Sequence, residues 1–379
     1  MQSLYLEGMS RRAFVAGGAA LAAVVGALSL PEISMAAEAS SSRDGEAKSA
    51  ASSAKDEVAS AGVEAQADPS AARTIYVPAS WVKAVIDGTE AAPTDDVVIL
   101  EVAWGEEADD AAYGEAHVPG AVHMNTDYVE SDEFWNYRTP EEIEALCKKY
   151  GITKDTTVIC YADKGTNSAD DRVAVCLLWA GVENVKCLDG GLESWTNAGY
   201  ETESGSNAPA ATDEAFGAEV PAHPEYILSI DEVKDKLASD PDFKLVSIRS
   251  YAEFCGETSG YSYIDRAGEP KGAIWGHDTD DGSYCKDDGT TVSVDVLESY
   301  LAESGKSLDA DTAFYCGTGW RACIPFLISY QAGIDAKLYD GGWFQWQMDP
   351  ENDVQLGDPA KGNATYVKVA DLSTDKAKK

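Results

Sequence analysis

Ala313-Phe314-Tyr315-Cys316-Gly317-Thr318-Gly319-Trp320-Arg321 decides the reading of this chain. A short apolar and aromatic run leads into a cysteine, and a glycine-rich turn then opens an apolar helix expected over Trp320 to Gly333. Pro325 falls in the first turn of that helix, where a missing N–H costs little. The pattern is strand, reactive loop, helix. Gly317 and Gly319 let the backbone curl, so that N–H groups of the turn and the helix dipole converge on the Cys316 sulfur. A helix N-terminus and a nearby guanidinium favour the thiolate, which makes Cys316 the expected nucleophile. Arg321 carries a planar fork suited to an oxyanion. The rival reading of these residues is an inert buried cysteine beside a tight turn.

The loop resembles the active-site loop of the rhodanese superfamily, the thiosulfate and 3-mercaptopyruvate sulfurtransferases. Asp340-Gly341-Gly342-Trp343, and Gly272-Ala273 at the place of a Pro-Gly-Ala turn, carry the same resemblance. It implies that Cys316 takes a sulfane sulfur from a donor, forms a persulfide and passes the sulfur to cyanide, a thiol or another protein. Thr318 stands where thiosulfate-type loops have lysine and mercaptopyruvate-type loops have serine, which leaves the donor open. The resemblance also gives Arg249, at the end of the strand expected over Phe243 to Ile248, the task of holding the donor's anionic group. Its alternative is a surface arginine paired to Glu253. Trp320 is expected to shape the cleft or to pack, and His117 to lie near the cleft or to be structural.

The motifs occur twice, about 150 residues apart. Pro119-Gly120-Ala121 answers Lys271-Gly272-Ala273, Cys160-Tyr161 answers Phe314-Tyr315, Ala180-Gly181-Val182 answers Ala332-Gly333-Ile334, and Leu188-Asp189-Gly190-Gly191 answers Tyr339-Asp340-Gly341-Gly342. Strands such as Val97 to Val102 and Thr157 to Tyr161 alternate with helices such as Ser168 to Gly181. The expected class is α/β: two tandem rhodanese-like domains, each a mostly parallel sheet with helices on both faces. Ala162 falls opposite Cys316, so the first copy is expected to be catalytically silent and to wall the cleft. Its loop, Asp163 to Asp171, reads as about three residues longer and brings carboxylates that repel an anion to a helix start. Cys160 is expected in the core. Cys323 is too far along a rigid helix to form a disulfide with Cys316, and the cysteine spacings imply no metal site. No cofactor is expected.

Residues 1–37 resemble a twin-arginine export signal: Ser10-Arg11-Arg12-Ala13-Phe14-Val15, an uncharged stretch from Ala16 to Leu30, and small residues near Ser34-Met35-Ala36. Residues 38–72 read as a disordered acidic linker, 73–203 as the silent domain, 204–224 as a linker, 225–352 as the catalytic domain and 353–379 as a polar tail. The chain has 379 residues and a formal net charge of −37. Such acidity excludes nucleic acid as a partner. The expected partners are a small anionic sulfur donor, a thiol or cyanide acceptor, an acceptor protein, and the twin-arginine machinery. The expected location is outside the cytoplasmic membrane, periplasmic or at the cell surface, with anchoring by an uncleaved signal as a variant. The competing functional readings are a persulfide carrier or sulfide sensor and, more remotely, a cysteine phosphatase, whose loop would need one more residue between cysteine and arginine.

Overall fold

The structure is a computed structural model that describes residues 67–378; the expected export signal and most of the acidic linker lie outside the described residues. The first repeat runs β1 (Tyr76–Val77), α1 (Ala79–Ile86), β2 (Val97–Ala103), α2 (Ala111–Glu115), β3 (Val122–Asn125), α3 (Pro140–Lys149), β4 (Thr157–Tyr161), α4 (Ala169–Ala180), β5 (Asn184–Leu188) and α5 (Gly191–Asn197). The second runs β6 (Ile227–Leu228), α6 (Ile230–Ser239), β7 (Lys244–Ser247), α7 (Tyr251–Phe254), β8 (Glu269–Pro270), β9 (Ile274–Trp275), α8 (Val294–Glu303), β10 (Thr312–Tyr315), α9 (Cys323–Gln331), β11 (Lys337–Tyr339) and α10 (Gly342–Trp346). Two more strands, β12 (Asp353–Leu356) and β13 (Thr365–Lys368), follow.

Each repeat folds into a five-stranded sheet, ordered β1-β5-β4-β2-β3 in one and β6-β11-β10-β7-β9 in the other. Every pairing within these two sheets is parallel. The fold is therefore α/β, as the alternation of apolar strands and helices required. In both sheets the order reverses between the second and fourth strands of the repeat, which opens a crevice at their carboxyl ends. Phe314 of β10 lies in register with Val246 of β7 and Leu338 of β11, so Cys316 leaves the sheet at that reversal.

Capping boxes start three helices: Thr139 with Glu142, Ser229 with Glu232, and Ser250 with Glu253. Helix α4 is buried on all sides, charged residues included, because it packs against α9 of the other repeat. One apolar cluster consequently spans both repeats, from Val173, Cys176 and Leu177 to Cys323, Phe326 and Leu327.

Three expectations are corrected. Residues 353–378 are not merely a polar tail: β12 pairs antiparallel with β8 and β13, and Val354 and Val369 are buried. Alternation of polar and apolar residues hides a half-buried strand inside a polar composition. The connection 162–168 is no longer than 316–322, because α9 begins at Cys323 rather than Trp320 and residues 320–322 still belong to the loop. The end of the expected disordered segment is tied down, since Lys186 Nζ donates to Ala71 O and Thr74 O at 2.7 Å.

Candidate active site

The reactive loop is gripped by the turn after β11. Trp343 N donates to Cys316 O and Phe344 N to Gly317 O, both at 2.9 Å. The first repeat has the same grip, Leu192 N to Ala162 O at 2.8 Å and Glu193 N to Asp163 O at 3.0 Å, but Ala162 has no thiol to present. Gly342 has φ +56°, and a Cβ there would stand 2.7 Å from Cys316 O. Gly319 has φ +94°. Among the described residues the amides of Thr318, Gly319 and Arg321 donate to no acceptor, so they remain available to an anion at the loop. Cys316 is 1 % exposed.

Above the loop lies a cavity of about 760 Å³, lined by Thr318, Trp320 and Arg321 from the loop, by Tyr261 and Tyr263, and by Asp163, Thr166 and Ser168 of the first repeat. The first repeat thus contributes part of the cavity wall. Trp320 Nε1 donates to Glu130 Oε1 of the first repeat at 2.8 Å. Tyr261 hangs over Gly317, where a Cβ would collide with its ring.

The arginines differ from expectation. The fork of Arg321 is filled by protein carboxylates: Nη1 and Nη2 each reach Glu253 at 3.0 Å, Nη1 also reaches Asp278 Oδ2 at 2.6 Å, and Nη2 donates to Tyr261 OH at 2.8 Å. Burial pushes the Glu253 carboxyl up, but the guanidinium groups of Arg321 and Arg249 outweigh it and hold the carboxyl at about 2. Burial raises Asp278 to about 7 against the pull of Arg321. Arg249 is wholly buried and lines no part of the cavity. Its Nη1 donates to Gly268 O at 2.9 Å and Glu269 Oε1 at 2.7 Å, its Nη2 to Ser259 O at 2.8 Å, and its Nε to Glu253 Oε1 at 3.3 Å. With its donors committed to the protein, Arg249 does not offer the expected anion hold. It pairs with Glu253, though in the core rather than at the surface.

His117 is not at the cleft either. It is buried within the first repeat and lines no part of the cavity, stacked on Tyr113 at 4.2 Å with Nδ1 2.8 Å from Tyr113 O. Cys160 is a core residue whose thiol is pushed well up by burial. The carboxylates at the start of α4 are buried rather than presented to an anion: Asp171 accepts from Tyr76 OH at 2.7 Å, and burial raises Asp170 to about 7. None of the eight cysteines forms a disulfide; Cys323 Sγ rests 3.2 Å from Gly319 O.

A second acidic group, Glu101, Asp110 and His123, could gather a cation. However, His123 already uses Nδ1 on Glu101 at 2.7 Å and Nε2 on Gly105 O at 3.0 Å.

The residues the sequence did not single out are Tyr261, Asp278, Glu130 and Arg172. Each comes from a segment remote from the loop in the chain, and none sits in a motif.

The Rhodanese-like domain family matches residues 80–198 and 229–349. The chain belongs to the rhodanese-like family. It is 39% identical over 285 residues to the thiosulfate sulfurtransferase YnjE of Escherichia coli (strain K12), covering 73% of this chain and 64% of that protein. It therefore spans somewhat less than two thirds of that relative. It is 29% identical over 272 residues to the putative thiosulfate sulfurtransferase SseB of Mycobacterium tuberculosis, covering 69% of this chain and 92% of that one. Among solved structures, a variant of EanB in complex with ergothioneine superposes with a TM-score of 0.69 at 35% identity, over 76% of this chain and 71% of the other. A rhodanese-like domain thus occurs twice here, with Cys316 at the loop position of the second copy and Ala162 at that of the first.

Proposed function

We propose that this rhodanese-like protein is a sulfurtransferase working through Cys316. The Cys316 thiolate attacks the outer sulfur of thiosulfate, breaking the S–S bond and releasing sulfite, or the sulfur of 3-mercaptopyruvate, breaking the C–S bond and releasing pyruvate as its enolate, which then takes up the thiol proton; either way a persulfide forms. A thiophilic acceptor, cyanide or a thiolate, then takes the outer sulfur and regenerates the thiolate. The observation that carries this is the placement of Cys316. It follows the strand β10 at the topological reversal, buried in a loop whose amides at Thr318, Gly319 and Arg321 have no acceptor among the described residues and whose Thr318, Trp320 and Arg321 line a cavity that both repeats wall. The occupied fork of Arg321 speaks against a phosphatase, which needs that fork for a phosphoryl dianion. Donor turnover with Cys316→Ser tests the reading. The variant should fold and lose activity, whereas retained turnover, or loss in Cys160→Ser instead, would overturn it. A persulfide carrier would load one sulfur and stop with small acceptors.

The cavity favours a particular acceptor. Asp109, Asp110 and Asp163 of the first repeat and Asp278, Asp280 and Asp281 of the second line it, against Arg321 and Lys378. Focused negative potential attracts cations and repels anions, and Trp104 and Tyr263 add aromatic faces to the walls. A positively charged acceptor therefore suits the cleft better than an anionic one. Cysteamine should outperform 3-mercaptopropionate as acceptor at low salt, with the gap closing as salt rises; equal use of the two would remove the cationic preference.

The location is proposed on the sequence alone. Arg11-Arg12 would direct the folded protein through twin-arginine export, and replacing both with lysine should retain the precursor in the cytoplasm. No described helix is long and apolar enough to cross a membrane.

A further inference from the structure

We propose that Arg172, a residue of the silent repeat, is the positioning residue for the reactive loop of the other; the inference rests on the sulfurtransferase reading of that loop. Arg172 lies in α4, is fully buried, and is held on three sides. Its Nε donates to Glu130 Oε1 at 3.1 Å, its Nη2 donates to Trp135 O at 2.9 Å and stands 2.6 Å from Asp340 Oδ1, and its guanidinium lies 3.7 Å over the Tyr137 ring.

Both partners of this cation lead to the loop, one at each end. Glu130 Oε1 also accepts from Trp320 Nε1. Asp340 opens the turn whose Trp343 N holds Cys316 O, and its Oδ2 accepts from Tyr137 N at 2.7 Å. The centre of the loop meets the same side chain. Nη1 of Arg172 makes no hydrogen bond among the described residues, and a Cβ on Gly319 would stand 2.8 Å from it. One guanidinium thus fixes the start, the middle and the end of the segment that carries the thiol.

Stability does not account for this arrangement. Glu130 and Arg172 are wholly buried and Asp340 nearly so, and taking three charges out of water is costly enough that apolar replacements would often hold the interface as well. Nor does the symmetry of the repeats demand it. Asp189, the counterpart of Asp340, is met across the interface by Thr291 N and Oγ1, at 2.7 and 2.8 Å, and α9, the helix that answers α4, carries no charged residue. The charged grip is made on the one loop that holds a cysteine.

The test compares wild type, Arg172→Lys, Arg172→Met and Glu130→Gln in the full chain. Two readouts are needed: steady-state turnover of donor, and hydrogen exchange of peptides covering 316–322 against peptides covering β10 and β7. Arg172→Met should lower kcat by about 10²-fold with donor KM little changed, as expected for a misplaced reacting group. It should also speed exchange in 316–322 while the strands stay protected, and Arg172→Lys should fall between it and wild type. Unchanged kcat, or a loss of kcat without faster exchange in the loop, overturns the proposal. If Arg172→Met does not fold, Glu130→Gln, which keeps the Asp340 contact, decides by the same two readouts. Exchange is read without any sulfur donor. A wild type inactive with every donor, yet a loop loosened by Arg172→Met, would therefore fail the sulfurtransferase reading and leave the positioning role standing.

Discussion

Glu253 and Arg321 meet in a two-pronged pair, each carboxylate oxygen 3.0 Å from a guanidinium nitrogen. The same carboxylate caps α7, accepting from Ser250 N at 2.9 Å, so a local helix start aims the group that fixes Arg321 near the end of the reactive loop. Its depressed carboxyl links the pair to pH. Held at about 2 in the folded chain against roughly 4.3 when unfolded, Glu253 contributes its full stabilisation above the unfolded value and loses it as the pH falls toward 2. Glu253→Gln leaves two buried guanidiniums short of a partner and should cost about 3–5 kcal/mol at pH 7. The melting-temperature gap between wild type and variant should shrink on acidification from pH 5 to 3. A gap independent of pH would show that the charge of Glu253 is not what matters.

Gly319 is required for its conformation and for its neighbour. At φ +94° a side chain costs about 1–2 kcal/mol from backbone strain alone, and the added Cβ would press on the immobilised Arg172. Gly319→Ala should therefore lose turnover more than Gly333→Ala, which has φ +82° but open space around it. Equal losses in kcat would mean that the contact with Arg172 is idle.

The segment beyond Asp353 should matter to the site. Lys378 N donates to Tyr261 O and Lys376 O accepts from Ser259 N, at 2.9 and 2.8 Å, which pins the loop bearing Tyr261 over Gly317. A chain ending at Asn352 loses buried Val354 and Val369, each contributing about 1.5–3 kcal/mol, along with that restraint. Lower thermal stability together with impaired turnover is expected; turnover equal to that of the full chain would show that Tyr261 keeps its place without the segment.

The parallel α/β architecture, the repeat and the position of the thiol were legible because they are local. Apolar runs specify strands, Gly181 ends α4 at φ +117°, and cysteine followed by glycine marks a turn. The surroundings of the thiol were not legible, because they are built by side chains far apart in sequence. Arg249 and Arg321 looked like paired anion holders in the chain, yet folding brings Glu253, Glu269 and Asp278 to them. Nothing in the pattern of residues 170–172 distinguishes charges on a solvated helix from charges buried between two domains. Only the packing of α4 on α9 does.

Thr318 is the position on which the donor choice proposed for this protein is expected to depend. It lines the cavity and is 7% exposed, and its hydroxyl offers one neutral hydrogen bond to a bound donor. The carboxylates around it disfavour a dianion such as thiosulfate, and the Arg321 guanidinium offsets them little, since its fork is occupied by Glu253 and Asp278. Thr318→Lys places a cation beside the loop amides, where a charge-assisted hydrogen bond of roughly 1.5–3 kcal/mol becomes available to the donor. The ratio of kcat/KM for thiosulfate over 3-mercaptopyruvate should rise by about tenfold or more, 1.4 kcal/mol being a factor of ten. Steady-state assays of both donors on both proteins measure it. An unchanged ratio, or equal loss with both donors, would show that residue 318 does not select the donor.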